Sequence, residues 1–179
     1  MRNAALGLTD AEARLTPTVS PLSIGGLLVH VSTTEASWIT RAEIAPAVPP
    51  SPPPAAVDDT FAFGPSDTLA AVLAGYDEVA ARTEEVVRRI GDLEHAVPVP
   101  KDAFWAPRRL EAWTLRWVLL HLVQETARHA GHADIVREAI DGATMYELMA
   151  AVEGWPASPW LTPWPGRQGA DRPDRRPER

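Results

Sequence analysis

The stretch from Thr114 to Gly142 does most to limit what this chain can fold into. It runs without a proline from a threonine suited to cap a helix to a glycine suited to stop one. It is the longest uninterrupted helical pattern in the sequence, and such a helix needs neighbours against which to bury its apolar side.

Further helical stretches supply them. After Ser20-Pro21, a cap residue and a proline suited to the first helical position, Leu27, His30, Val31, Thr34 and Trp38 fall on one face at helical spacing. A second stripe opens near Ser66-Asp67 and runs Leu69, Val72, Leu73, Tyr76, Val79, Ala80, Thr83, Val86, Val87 and Ile90, with Gly91 as its stop. Its regularity predicts a buried face, and Glu84, Glu85, Arg88 and Arg89 read as the solvated one. Thr144 with Glu147 offers a capping box for a short helix that Gly154 closes, and Thr9 with Glu12 offers another for a short helix within Ala4 to Leu15.

The 18 prolines fall between these patterns and near the C-terminus. Ala45 to Pro54 reads as an extended loop, and Leu93 to Glu111 as an irregular connection with room for an extended piece. No alternating strand pattern of useful length appears, so the class is all-α. Trp155 to Gly166 is expected to pack across the bundle surface. The chain therefore divides into a helical domain, 1–165, and a tail, 166–179, whose Arg, Asp, Pro, Glu and Gln have nothing to bury and predict disorder.

Composition narrows the function. The chain has 179 residues, 45% of them apolar, which suits a single domain with a sizeable core. A net charge of −7 argues against a nucleic-acid surface, because phosphate binding is driven by Lys/Arg clusters, and it disfavours an anionic membrane face. No apolar run approaches the roughly 20 residues that span a bilayer. Met1 to Leu8 does not read as a secretory signal, and a cytoplasmic location is expected. The absence of cysteine excludes disulfides, a thiolate nucleophile and Cys-ligated zinc, so any sulfur chemistry must arrive on a small molecule.

The candidate chemistry is concentrated in His121-Leu-Val-Gln-Glu125-Thr-Ala-Arg-His129-Ala-Gly-His132. At about 100° per residue, Glu125, His129 and His132 lie roughly 40°, 80° and 20° from His121, inside one arc about a quarter-turn wide. Side chains four apart are neighbours, so Glu125 and His129 can chelate one ion. A third ligand is expected from a facing helix, and His30, on the apolar stripe of the first long helix, is the candidate. Other readings stay open at this point: a hydrogen-bonded core histidine for His30, and an idle exposed face for the cluster.

Arg116, Arg128 and Arg137 could meet an anionic substrate or pair with carboxylates. Asp134 and Glu138 could pair with them or orient His129 or His132. Trp38 or Trp117 could wall a pocket, and His95 reads as an isolated surface residue. There is no Gly-rich phosphate loop and no serine elbow.

The same segment, from Thr114-Leu-Arg-Trp-Val-Leu-Leu-His121 through Glu125-Thr-Ala-Arg-His129-Ala-Gly-His132 to Asp141-Gly142, resembles the actinobacterial branch of the DinB/YfiT-like superfamily that includes mycothiol-S-transferase-like and mini-circle-type proteins. Leu22 to Trp38, with His30 and Glu35, is similar to that family's second helix, and Thr144 through Trp164 to its C-terminal end. The resemblance implies a four-helix bundle holding a divalent metal (zinc first, nickel or iron otherwise) on His30, Glu125 and His129. Many relatives have histidine where Glu125 stands; mycothiol-dependent isomerases are similar in using Glu. His132 takes the place of a Gln common in other branches. The family's first helix normally extends well before the segment corresponding to Leu6–Ala13, so a first helix cut short is expected here, either because the start lies upstream or because the bundle is thin on one side.

Three functions follow as expectations. The first is a metal-dependent transferase or isomerase that joins a mycothiol-like thiol to an electrophilic substrate, with His121 or His132 supporting the ligands and Arg128 binding an anionic group. The second is a hydrolase using bound water, with Glu35 as a possible base. The third is a non-catalytic stress or interaction protein. A homodimer is allowed; nucleic acid and membrane are not expected partners.

Overall fold

The computed structural model describes residues 1–48, 58–101, 107 and 109–166. Its helices are α1 (Asp10–Ala13), α2 (Ile24–Ile44), α3 (Leu69–Ile90), α4 (Leu115–Asp141) and α5 (Met145–Glu153), with 3-10 turns at Arg2–Ala5 and Asp58–Phe61. Helix α2 is the centre and packs against both α3 and α4. Two short strands, β1 (Ala96–Pro98) and β2 (Ala112–Thr114), pair antiparallel with Val97 opposite Trp113. The fold class is the mostly-α bundle expected. The strands are an addition, too short at three residues each for an alternating pattern to announce them. None of the described helices is long and apolar enough to cross a membrane.

The starts of α2 and α3 differ from the sequence reading. Ser23, not Ser20, caps α2, its hydroxyl accepting the Gly26 N–H at 3.1 Å. Thr68 caps α3, accepting the Ala71 N–H at 3.2 Å. Asp67 instead accepts the Gly64 N–H at 2.7 Å and so shapes the turn before the helix. The expected ends of α4 hold: Thr114 accepts the Trp117 N–H at 3.1 Å, and Gly142 turns out of the helix at φ 73°. The Thr9–Glu12 capping box forms, but α1 is a single turn, because Gly7 at φ 67° breaks the segment and lies against the Trp164 ring.

The core falls into two clusters along α2. One gathers Trp38, Ile39, Val86, Val97, Trp113 and Val118; the other gathers Ala13, Ile24, Leu27, Leu28, Ala133 and Val136. The α3 stripe is only half buried. Leu69 and Val86 are closed off, whereas Val72, Leu73, Val79 and Val87 remain partly exposed. Periodicity identifies the apolar face of a helix but not how much is laid over it, and α3 packs chiefly against α2. The loop expected from Ala45 to Pro54 and the tail expected from 166 onward lie mostly outside the described residues.

Residues Gly25 and Gly26 allow the 58–63 segment to lie directly on α2. A Cβ on Gly26 would stand 2.1 Å from the Phe61 carbonyl oxygen, and one on Gly25 would stand 2.5 Å from the Phe63 ring. Gly26→Ala is therefore expected to destabilise: overpacking costs about 1–3 kcal/mol, only partly offset by the roughly 1 kcal/mol that alanine gains in helix propensity. Gly75→Ala on α3, where a Cβ meets nothing within 4 Å, should raise the melting temperature slightly instead. Thermal unfolding of the two variants checks the opposite signs.

Candidate metal centre

Helix periodicity sets out most of the site. Trp113, Trp117, His121, Glu125 and His129 follow one another at four-residue steps, the last four on α4. Trp113 stacks on Trp117 at 5.2 Å, and Trp117 on His121 at 5.0 Å, with planes only 17° and 8° apart. Trp38 from α2 closes the stack edge-on, 5.0 Å from His121. The aromatic end of the row is thereby fixed, and it hands on to the ionisable end.

At that end the Glu125 carboxylate lies 3.4 Å from His129 Nε2 and 3.9 Å from His121 Nε2. From α2, the His30 ring meets the His129 ring at 4.7 Å. His30, Glu125 and His129 each offer one ligand atom, and these atoms lie within 4.8 Å of one another. A tetrahedral zinc with bonds near 2.1 Å needs its ligand atoms about 3.4 Å apart, so closing round an ion takes side-chain rotation of about 1 Å.

The residues fit such an ion. His30 Nδ1 is buried with no hydrogen-bond partner, a state that costs roughly 1–3 kcal/mol for an ordinary polar group and that a cation would relieve. His129 is 7% exposed. Its Nδ1 lies 3.4 Å from His132 Nδ1. With the proton on His129 Nδ1 donated to His132, the Nε2 lone pair is left facing Glu125 and the site. Two imidazoles and one carboxylate from two helices are also a donor set that leaves coordination positions open.

Burial lowers the affinity of both imidazoles for protons. Desolvation is the main cause for His30, reinforced by His129 and opposed by Glu125 and a hydrogen bond to the Thr60 backbone. Desolvation again leads for His129, opposed by Glu125 and reinforced by His132 and Arg128. Both rings therefore favour the neutral, ligating form. Between their lowered folded values and the ordinary 6.5, the unfolded chain binds more protons than the fold. The metal-free protein is thus expected to hold its stability above about pH 6.5 and lose it as pH falls below that value. Asp134, whose pKa burial raises from 3.8, acts with the opposite sign in a lower window. Melting temperatures at pH 7.5, 6.5 and 5.5 check the direction.

Phe61 was not visible as a site residue in the sequence. Its ring stacks on His30 at 3.9 Å and 12° and covers that side of the imidazole. The only local signal was Gly25-Gly26, one turn before His30, since paired glycines on a helix invite close backbone approach.

Several other expectations are corrected. Arg137 meets no substrate: it is fully buried and donates to the Ala4 and Leu6 carbonyls and to Asp141. Arg116 pairs with Glu94 at 3.0 Å. Asp134 pairs with none of the three arginines among the described residues; burial raises its pKa and the Met1 amine opposes that rise. His95 is not isolated, because its Nε2 lies 3.1 Å from the Ala42 carbonyl oxygen and ties β1 to the end of α2. The Glu35 carboxylate accepts the Thr83 hydroxyl at 2.6 Å on the α3 side, so it is not placed as a base for water at the cluster. Arg128 is exposed beside His129, with no ion pair among the described residues.

A cavity of about 730 Å³ lies elsewhere, between the N-terminal turn, the start of α3 and Val152. It shares no residue with the cluster. Its charged groups are already engaged, Arg2 with Asp77 and Asp10 with the Leu69 N–H.

No curated protein and no solved structure matches the chain. The family described as mycothiol-S-transferase matches over residues 1–142, a span that contains α2, α3, α4 and all three candidate ligands. The chain belongs to the mycothiol-S-transferase family.

Proposed function

We propose that the chain is a divalent-metal-dependent transferase that joins a small-molecule thiol, mycothiol or a close analogue, to an electrophilic carbon. Family membership supports the thiol. The observation that carries the metal is the convergence of His30, Glu125 and His129 within 4.8 Å across two helices. Zinc suits two imidazoles and a carboxylate, and nickel or iron accepts the same donors. A divalent ion there supplies the Lewis acidity that lets a thiol lose its proton near neutral pH.

The rest is done by the chain. With no cysteine present, the attacking sulfur belongs to the bound thiol. His132 holds His129 in its ligating tautomer. Phe61 shields one face of His30 from water. His121 stands beside Glu125, held by its tryptophan stack, and in this reading it takes the proton the thiol gives up. Arg128 at the rim offers a cation to an anionic group on the thiol or its partner. The thiol sulfur's electron pair forms the S–C bond as the carbon–halogen bond, the epoxide C–O bond or the Michael acceptor's C=C π bond breaks. Its electrons leave on the halide, the alkoxide oxygen or the adjacent carbon, and the thiol proton goes to His121 or solvent. An isomerase would use the same steps with the thiol later expelled.

The test is thiol consumption by zinc-loaded protein with a panel of alkyl halide, epoxide and Michael-acceptor electrophiles. The expected result is conjugation that depends on protein and metal together. Absence of metal-dependent conjugation with mycothiol and with simpler thiols would overturn the proposal.

A further inference from the structure

Three rings meet at the candidate centre, and only two of them can bind an ion. Phe61 lies flat on His30, with 3.9 Å between centroids and 12° between planes, and it meets His129 at 5.6 Å. The two imidazoles meet each other edge to face at 4.7 Å. Phe61 thus touches both candidate imidazole ligands, one from α2 and one from α4. A ring lying flat on another can slide in its own plane but cannot tip away without opening a gap and losing the contact. The stack therefore fixes the tilt of His30 and still permits the small shift by which the donor atoms close on an ion. His30 Nδ1 is buried without a hydrogen-bond partner, so no hydrogen bond at that atom orients the ring.

The chain fixes the place of Phe61 from two directions. On the α2 side, a Cβ at Gly26 would stand 2.1 Å from the Phe61 carbonyl oxygen, so only glycine lets the turn sit this low on the helix. Gly26 lies one turn before His30, which sets the Phe61 ring level with the imidazole. On the far side, Arg14, directly after α1, donates to the carbonyls of Gly64, Pro65 and Asp67. Its guanidinium also lies 4.5 Å from the Phe63 ring centre. Asp67 closes the same stretch by accepting the Gly64 N–H at 2.7 Å. Both anchors act on the segment that carries Phe61.

We propose that Phe61 is a positioning residue for the metal centre: it holds the His30 and His129 rings at the mutual tilt in which they ligate. Its own place is set by the glycine seat on α2 and by Arg14. This inference rests on the metal reading given above and adds to it a residue with no donor atom. A ligand ordered before the ion arrives loses less freedom on binding. Groups that orient ligands through hydrogen bonds are worth about 10–100-fold in affinity, and a ring acting by contact alone belongs at the lower end, about tenfold.

The test is titration of the metal-free full chain with zinc, together with the visible absorption of the cobalt(II)-loaded protein, which reports ligand geometry. Phe61→Leu keeps an apolar side chain but loses the flat face. Its zinc affinity should fall about tenfold and its cobalt spectrum should change. Phe61→Tyr retains the face and should stay within about threefold of the unchanged chain. Phe63→Leu makes the same change two residues on, over Gly25 and away from the imidazoles, and should alter neither affinity nor spectrum. Gly26→Ala lifts the turn off α2 and should weaken zinc binding as Phe61→Leu does, so the double variant should lose little more than either alone. Zinc uptake by the unchanged chain with equal affinity in Phe61→Leu, or an equal loss in Phe63→Leu, would overturn the positioning role and leave the metal centre standing. Should Phe61→Leu fail to fold, unchanged affinity in Gly26→Ala would overturn it in the same way. No uptake by the unchanged chain would overturn both.

Discussion

Arg137→Met lowers the stability of this protein by about 3–5 kcal/mol, the usual result of breaking a buried ion pair by removing one partner. The side chain is fully buried, donates at 2.8 Å to both the Ala4 and Leu6 carbonyls, and holds Asp141 through two bonds at 2.9 and 2.8 Å. Its guanidinium also lies 5.0 Å from the Trp164 ring centre. One side chain therefore joins the N-terminal turn, α4 and the C-terminal segment. Methionine fills much of the space but leaves two carbonyls and a carboxylate without their donor. For a chain of this length the loss corresponds to a fall in melting temperature of roughly 10 °C or more. Arg88→Met, which removes an exposed pair with Glu84 at 3.9 Å, should change it by no more than about 1–2 °C. Equal shifts in the two variants would refute the clamp. Amide exchange in residues 2–7 should accelerate in Arg137→Met alone.

His129→Ala is expected to reduce metal-dependent thiol conjugation at least a hundredfold while the helices stay folded. The imidazole is one of two candidate donors on α4, lies 3.4 Å from Glu125 and faces His132 through Nδ1. Alanine removes both the ligand and the partner of Glu125. His132→Ala should be milder, about 10–100-fold, because a group that orients a ligand costs less than the ligand itself. The two losses should appear together in metal affinity and in turnover. Circular dichroism of both variants separates loss of the site from loss of the fold. Turnover by His129→Ala equal to that of the unchanged chain would contradict the assignment.

The helices were legible because their apolar periodicity and their Thr and Gly boundary residues are local facts. Thr114 and Gly142 frame α4 as read from the sequence. The start of α2 was misread for an instructive reason. Ser20-Pro21 is the stronger local signal, but the helix must present Gly25 and Gly26 to the Phe61–Phe63 segment, and that contact is long-range. Within the site, the placing of His121, Glu125 and His129 on one arc follows from helical spacing alone. The arrival of His30 opposite them depends on how α2 lies on α4, which its place on an apolar stripe suggested but did not specify. Phe61 and the tryptophan stack could not be foreseen from spacing. Arg137 was invisible as a clamp because its partners are backbone carbonyls more than 130 residues away.

The central claim is that two helices bring two imidazoles and a carboxylate to one divalent ion. Calorimetric titration of the metal-free protein with zinc tests it most directly. One ion per chain should bind to the unchanged protein. His30→Ala, Glu125→Ala and His129→Ala should each weaken binding at least a hundredfold, and His95→Ala should leave it unchanged. Failure of the unchanged chain to take up a divalent ion, or affinity in the three variants equal to that of the unchanged chain, would contradict the account.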